Sequence, residues 1–185
     1  MASSLIKVDE FTISSPVASV ILGGGSSGSS GLNASIDSTY DVYMVAINNL
    51  VGANDSVLPY LRITVGGTPD VTSNFRRANV EMISNAAFVY NGYNVGQNFM
   101  YLTSGETGTG TSETANGNLF LFNFNNSGEY NFGTMEMVTV TDTQVLESWT
   151  GGFVHTVAQS ADGIQFYMSA GNIAGGTFTL YGLAK

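Results

Sequence analysis

This 185-residue chain contains one histidine, a residue type whose chemistry could support catalysis. His155 lies in the stretch GGFVHTV, in phase with Phe153 and Val157, so strand alternation directs its imidazole to the same face as two apolar side chains. A histidine acts as a general base only beside a nucleophile and an orienting acid, and the sequence shows no such spacing around it. The pattern favours a buried structural histidine or a pH-sensitive contact between subunits.

Carboxylates at two places raise the question of hydrolysis or metal binding. Glycosidases need two carboxylates roughly 5 to 10 Å apart, and Glu136, Asp142 and Glu147 are close enough in sequence to be considered. Glu136 alternates with two methionines, which predicts the solvent side of an amphipathic strand. The spacing of calcium-binding loops is absent around the candidate ligands Asp37, Asp41 and Asp55. We therefore predict no catalytic residue, no metal site and no enzymatic activity.

The stretch VASVILGGGSSGSSGLNASI resembles a phosphate-binding turn at first sight. Gly23, Gly25 and Gly28 satisfy the G-x-G-x-x-G spacing after an apolar strand. A dinucleotide site also requires a helix that begins there, and the Ser- and Gly-rich residues that follow show no helical pattern. The sequence therefore predicts no cofactor, and a mobile loop at 23–33 within one domain that spans residues 1–185.

Composition excludes several further classes of function. Fourteen acidic residues against five basic ones give a formal charge of -9, which would repel the phosphate backbone of nucleic acids. The chain has no cysteine, which excludes disulfides, thiolate nucleophiles and Cys-ligated zinc. No apolar run approaches the length of a membrane-spanning helix, and the first residues lack the apolar core of a signal peptide. We expect neither a nucleic-acid partner nor a membrane partner.

The elements that must position these residues are strands. Period-two alternation recurs along the chain, separated by Gly- and Asn-containing turns. The sequence predicts an all-β fold, an antiparallel β-sandwich that is jelly-roll-like with about ten strands. The predicted strands cover residues 5–13, 17–22, 39–49, 60–65, 98–103, 118–125, 134–141, 152–157, 164–169 and 177–183. A weak helical pattern covers residues 74–88.

Two predicted strands give a first picture of the core. In 39–49 both faces carry apolar side chains, which predicts a central strand or one covered by a neighbouring subunit. In 118–125 the rings of Phe120, Phe122 and Phe124 share a face, and we expect them to form the widest part of the core.

The stretch FVYNGYNVGQNFMY combines aromatic rings with amides, a mixture that binding surfaces use. It predicts a contact surface for another subunit or a sugar, formed by Tyr90, Asn91, Tyr93, Asn94 and Tyr101. The alternative is a long loop whose tyrosines fold back onto the sandwich. Arginines suit bidentate pairing, and the candidates for ion pairs between subunits are Arg62, Arg76 and Arg77; a solvated edge is the alternative for the adjacent pair.

Three segments together resemble a known class of proteins: TYDVYMVAINN at 39–49, GNLFLFNFNNSGEYNF at 117–132, and the C-terminal run that ends in SAGNIAGGTFTLYGL. The pattern of strands and turns over residues 39–183 is similar to small β-rich virion proteins of tailed, especially marine, bacteriophages. The resemblance implies a structural role in the virion, as a head-decoration or tail-fibre component. It implies no functional residues, because it rests on strands and turns rather than on a catalytic motif.

Within a virion the sequence favours capsid decoration over a tail fibre. Strand pattern begins within five residues of the start, and no heptads predict a coiled-coil stalk. We expect a homo-oligomer, a trimer as first choice, that is assembled in the host cytoplasm and bound to other virion proteins such as the major capsid protein. The alternative is a tail-fibre or tail-tip module that binds host cell-surface glycans through the Tyr/Asn stretch.

Overall fold

The computed structural model describes residues 4–24, 34–86 and 88–184, which fold into two antiparallel sheets. The predicted all-β sandwich is confirmed, with more strands than the sequence suggested. The described strands are β1 (Leu5–Thr12), β2 (Ser19–Gly23), β3 (Val42–Gly52), β4 (Pro59–Val65), β5 (Thr68–Pro69), β6 (Phe75–Ile83), β7 (Val89–Gln97), β8 (Met100–Tyr101), β9 (Ala115–Phe122), β10 (Asn131–Val140), β11 (Leu146–His155), β12 (Gly163–Met168) and β13 (Ile173–Leu183).

Eight of these strands form a jelly roll. In the large sheet β1, β13, β3 and β9 are neighbours in that order, and in the small sheet β2, β12, β4 and β8 are neighbours. The chain passes from one sheet to the other between β1, β2, β3 and β4, and again between β8 and β9 and between β12 and β13. These crossings between two antiparallel sheets define the jelly-roll arrangement that the sequence predicted.

Four further strands lengthen the large sheet beyond the jelly roll, and we call them the extension. The complete order of the large sheet is β1-β13-β3-β9-β10-β11-β6-β7. β10 and β11 continue β9 as a meander, whereas β6 and β7 come from the long connection between β4 and β8. The extension ends at β7, which is one edge of the large sheet.

The core between the two sheets is built from aromatic and branched side chains. Phe166 of the small sheet packs against Phe178 of the large sheet with ring centroids 5.0 Å apart. Val45 and Leu180, which are paired on adjacent strands, are fully buried in the same core. The alternation seen in the sequence therefore has one consistent inward face along the jelly-roll strands.

The expectation that Phe120, Phe122 and Phe124 share a face that points into the core is wrong. Leu119 and Leu121 are the buried side chains of β9, whereas Phe120 points outward and is 40 % exposed. Phe124 is buried because β9 ends at Phe122 and the left-handed backbone of Asn123 (φ 61°) reverses the alternation. Alternation in the sequence identified the two faces of this strand but not which face would be covered.

The helical pattern over 74–88 is also overturned, because residues 75–83 form β6. β6 pairs with β11 from Phe75 opposite His155 to Ile83 opposite Glu147. Tertiary pairing therefore outweighs a weak local preference. No helix within the described ranges is long and apolar enough to cross a membrane.

The predicted Gly/Ser loop at 23–33 falls only partly within the described residues. Gly23 ends β2 with φ +70° and Gly24 follows with φ +80°, so the chain leaves the small sheet through two left-handed glycines. Residues 25–33 lie outside the described part of the chain.

Candidate interaction surface

The outward side of the large sheet is mostly apolar over β3, β9, β10, β11 and β6, and we call it the outer face. Phe120 and Phe132 are its largest exposed side chains, at 40 % and 42 %. Only two charged side chains project from these five strands on this side, Glu136 and Arg76. Other apolar members are Val42, Met44, Ala46, Phe122, Val138, Val140, Leu146, Val154, Ala78, Val80 and Met82.

A row of small residues crosses the outer face of the extension. Thr134, Gly152, Ala78 and Gly92 are register neighbours on β10, β11, β6 and β7. A Cβ added at Gly92 would meet no atom within 4 Å, so this end of the row opens to solvent. The larger side chains of the neighbouring rows, with Phe132 on one side, turn the row into a groove of ≈ 790 Å³.

The edge strand β7 is a second exposed apolar surface. The segment 88–97 contains no charged residue, and its most exposed apolar side chains are Tyr90 at 84 %, Val95 at 71 % and Phe88 at 66 %. β6 pairs with one side of β7, and the other side has no strand partner among the described residues. Edge strands usually carry Lys, Pro or a bulge that blocks further pairing. β7 has a register irregularity between Tyr93 and Gln97, but segment 88–97 has neither Lys nor Pro. The regular part of the strand, 89–93, is therefore open to a further contact.

The structure does not gather the predicted contact residues into one surface. Tyr90 projects from β7, whereas the Asn91 amide donates to the Glu81 carboxylate at 3.4 Å. The rings of Tyr93 and Tyr101 both lie near the Arg77 guanidinium, at 5.9 and 4.1 Å. The side chain of Asn94 lies outside what the structure describes. A contact role for these residues stays a prediction, and the long-loop interpretation is wrong because residues 89–97 form β7.

Two of the three candidate arginines bind aromatic rings of their own chain. Arg62 lies over the Tyr167 ring at 4.4 Å, and its Nε donates to the Asn98 carbonyl at 2.8 Å. Arg77 lies over the Tyr101 ring, and burial lowers the pKa of its guanidinium. Arg76 is exposed on the outer face and lines the groove. Ion pairs between subunits stay a prediction for all three.

His155 is buried, as the sequence predicted. Its Nε2 lies 3.3 Å from Asp70 Oδ2 without the alignment of a hydrogen bond, and the ring of Phe75 meets the imidazole edge at 4.8 Å. Burial lowers the pKa of His155, and the Asp70 carboxylate opposes that effect. Burial would raise the pKa of Asp70, but hydrogen bonds from Thr72 and Gln159 outweigh it and lower the value. The pair joins a loop to the inner side of the extension.

The three carboxylates considered for hydrolysis do not converge. Glu136 is exposed on the outer face, as predicted, whereas Glu147 packs on the inward side at the far end of the extension. Burial and the charge of Glu81 raise the pKa of Glu147, and the charge of Asp142 adds to this. Asp142 accepts a short hydrogen bond from the Ser56 hydroxyl.

Of the candidate calcium ligands, Asp37 and Asp41 line the same surface pocket, whereas Asp55 does not line it. The Asp37 carboxylate accepts hydrogen bonds from Thr39 and from the Tyr43 hydroxyl, and the Thr39 bonds lower its pKa. Asp55 lies beside Gly108. Within the part of the chain that the structure describes, no group of three metal-ligating side chains could hold an ion.

Comparisons with known proteins give no relative from which a role could be transferred. No family model matches the chain, and no curated protein matches it significantly. The outer face and the β7 edge are therefore the features on which a functional assignment depends. Sequence reasoning noted apolar residues on both faces only for β3, although β9 and β10 carry the same signal.

Proposed function

We propose that this chain is a non-enzymatic structural protein of a bacteriophage virion, a decoration protein that forms a homo-oligomer on the capsid surface. The observation that carries the proposal is the apolar outer face of the large sheet. The resemblance of its strand and turn patterns to small virion proteins points in the same direction.

The size of the outer face supports an assembly role. Five strands about 4.8 Å apart and seven residues rising about 3.4 Å each give a footprint of roughly 570 Å². Monomeric globular proteins rarely expose an apolar patch larger than a few hundred Å². A stable protein interface covers about 800 Å² of each partner, so the outer face supplies most of such a contact and adjoining surface must supply the rest.

The composition of the chain suits an exposed particle component. Charged residues are only 10 % of the chain and cysteine is absent. A surface without thiols offers no site for disulfide exchange or for oxidation along the cysteine ladder. Such a protein would remain chemically inert outside a cell.

Purified virions give the direct test. Mass spectrometry should detect the chain in the particle, and cryo-electron microscopy should place hundreds of copies on the capsid lattice. A few copies at a single vertex would place the protein on the tail and contradict decoration. Absence of the chain from purified particles would overturn a structural role in the virion altogether.

A second candidate function is glycan recognition by a tail module. The ring of Tyr90 is 84 % exposed on β7, and exposed tyrosines beside amides are typical of adaptable binding surfaces. A glycan array should then show binding that Tyr90→Ala removes and that Val71→Ala, changed in a loop after β5, retains. An array without any bound glycan would contradict this candidate.

A further inference from the structure

We infer that the β7 edge of one copy packs into the groove on the outer face of the next copy, so that three or four copies close into a ring. This inference rests on the proposed homo-oligomer and specifies its contact. It names a second copy of this chain as the occupant of the groove.

The chain exposes two different apolar surfaces, and one type of contact covers both. The outer face holds a groove, whereas segment 88–97 forms a protruding edge. A two-fold contact joins one patch to itself, so packing face against face would leave the edge exposed. A head-to-tail contact joins two different patches on each copy, and therefore covers groove and edge together.

Charge favours the same contact. Segment 88–97 has no charged residue. Arg76 is the charged side chain that lines the groove from the outer face, since the Arg77 guanidinium lies over the Tyr101 ring on the inward side. The exposed carboxylate of the outer face is Glu136, so one acid and one base leave this face without net charge. An uncharged edge and a face without net charge therefore meet without the repulsion that two copies with a formal charge of -9 exert elsewhere.

The groove matches an extended segment in size. The row from Thr134 to Gly92 crosses four strands, or three spacings of about 4.8 Å, which is about 14 Å. That length accommodates four or five residues of an extended chain, which rises about 3.3 Å per residue. Side chains of the neighbour's edge, Val95 among them, would replace solvent above the glycines.

Geometry limits the number of copies. The β7 edge points along the plane of the sheet, and the groove faces perpendicular to that plane. The two contact directions on one copy therefore differ by about a right angle. In a ring of five or more copies, the rotation between neighbours is smaller than a right angle, so such a ring cannot bring an edge into the next groove. Gly92 belongs to β7 and also lies in the groove, so the two surfaces adjoin. A right angle between the two directions corresponds to a ring of four copies, and a smaller angle to a ring of three.

Light scattering on the purified chain tests the contact. Three chains of 19.5 kDa give a ring of about 58 kDa, and four chains give about 78 kDa. Phe132→Asp should break the groove and Val95→Asp the edge, each yielding a monomer of 19.5 kDa. Val71→Asp is the matched control, since this exposed residue lies in a loop outside both surfaces, and it should assemble like the wild type. Circular dichroism establishes that each variant is folded, and Ala78→Asp replaces Phe132→Asp if the latter is not.

A mixture of the Phe132→Asp and Val95→Asp variants gives the most decisive test. The intact edge of the groove variant can enter the intact groove of the edge variant, so the mixture should form a heterodimer of two 19.5 kDa chains, about 39 kDa, and no larger species. A mixture that stays monomeric, or an edge variant that still assembles, overturns the inference. A monomeric or dimeric wild type also overturns it. A wild type that is monomeric in solution but present on virions would remove this contact and leave the proposed function in place.

Discussion

The jelly roll and the extension solve the problem of covering a sheet in different ways. In the jelly roll, two sheets face each other and the core consists of side chains such as Phe166 and Phe178. In the extension, the inward side carries polar groups, and three of their buried nitrogens, Arg77 Nε, Asn79 Nδ2 and Trp149 Nε1, find no hydrogen-bond partner among the described residues. The comparison teaches that the small sheet dictates where a fully apolar core is possible.

The reason is a mismatch in the number of strands. The large sheet has eight strands, and the path of the small sheet has four, with β8 beside β4. Loops therefore cover the inward side of the extension, as Asp70 does over His155. Loops bring backbone and polar side chains, which explains why the single histidine and the single tryptophan lie here.

The largest expected effect tests the apolar core of the jelly roll. Phe178→Ala removes a fully buried ring that packs on Phe166, and we expect a loss of about 3 to 5 kcal/mol in the free energy of unfolding. Urea denaturation followed by circular dichroism measures it. Val71→Ala, changed at an exposed position, should stay within about 0.5 kcal/mol of the wild type. A loss for Phe178→Ala as small as that of Val71→Ala would contradict the picture of a tightly packed core.

A smaller effect tests how the extension is held to its covering loop. A Cβ at Gly96 would lie 1.6 Å from the Ser73 carbonyl oxygen, so Gly96→Ala must displace β7 or the loop, at a cost of about 1 to 3 kcal/mol. Gly128→Ala is the control, because its Cβ would meet only Asn126 Oδ1 at 3.4 Å. Equal urea midpoints for the two variants would show that β7 does not pack on this loop.

The Arg77 guanidinium, which lies between aromatic rings of the extension, should contribute about 1 to 2 kcal/mol to the free energy of unfolding. Arg77 lies 4.1 Å from the Tyr101 centroid and 5.8 Å from the Trp149 ring. Arg77→Met retains most of the packing volume but loses the charge, and Arg77→Lys loses the planar stacking. Both substitutions should therefore lower the midpoint of urea denaturation. Fluorescence measures it, because Trp149 is the single tryptophan and reports on the extension. An unchanged midpoint in Arg77→Met would show that the rings do not need the cation.

The smallest effect concerns pH. Burial places the pKa of His155 below 6.5 in the folded chain, so below that value the unfolded chain binds more protons and stability falls as pH falls. The wild type should therefore lose more stability than His155→Asn between about pH 7.5 and 5.5. The raised pKa of Glu147 acts in the opposite direction in both proteins and cancels in the comparison. Parallel pH profiles of the two proteins would contradict a buried neutral imidazole.

Much of the jelly roll could be predicted from the sequence, but only half of the extension, since the predicted strands 134–141 and 152–157 fall on β10 and β11 while β6 and β7 were missed. Strands such as β3, β12 and β13 alternate clearly and end at Gly or Asn turns, so their local pattern agrees with their final environment. β7 alternates tyrosine with asparagine and glycine, which fits a loop as well as a strand. β6 has a pattern that also fits a helix, and only pairing with β11 makes it a strand. Of the candidate site, the sequence indicated single residues but not the outer face.

The sequence by itself determined the strand class, the turns, the low charge and the acidic balance, because each follows from residue types and period-two spacing. The tertiary structure alone decided which side of β9 is covered, since Leu119 and Phe120 are both apolar and only the small sheet distinguishes them. It also decided that β6 pairs with β11, so that β7 joins the sheet beyond β6. β6 and β11 are about 70 residues apart, and local patterns cannot specify such a pairing. Where the side chains on both faces of a strand are apolar, the position of the partner sheet, and not the residue type, determines which face is buried.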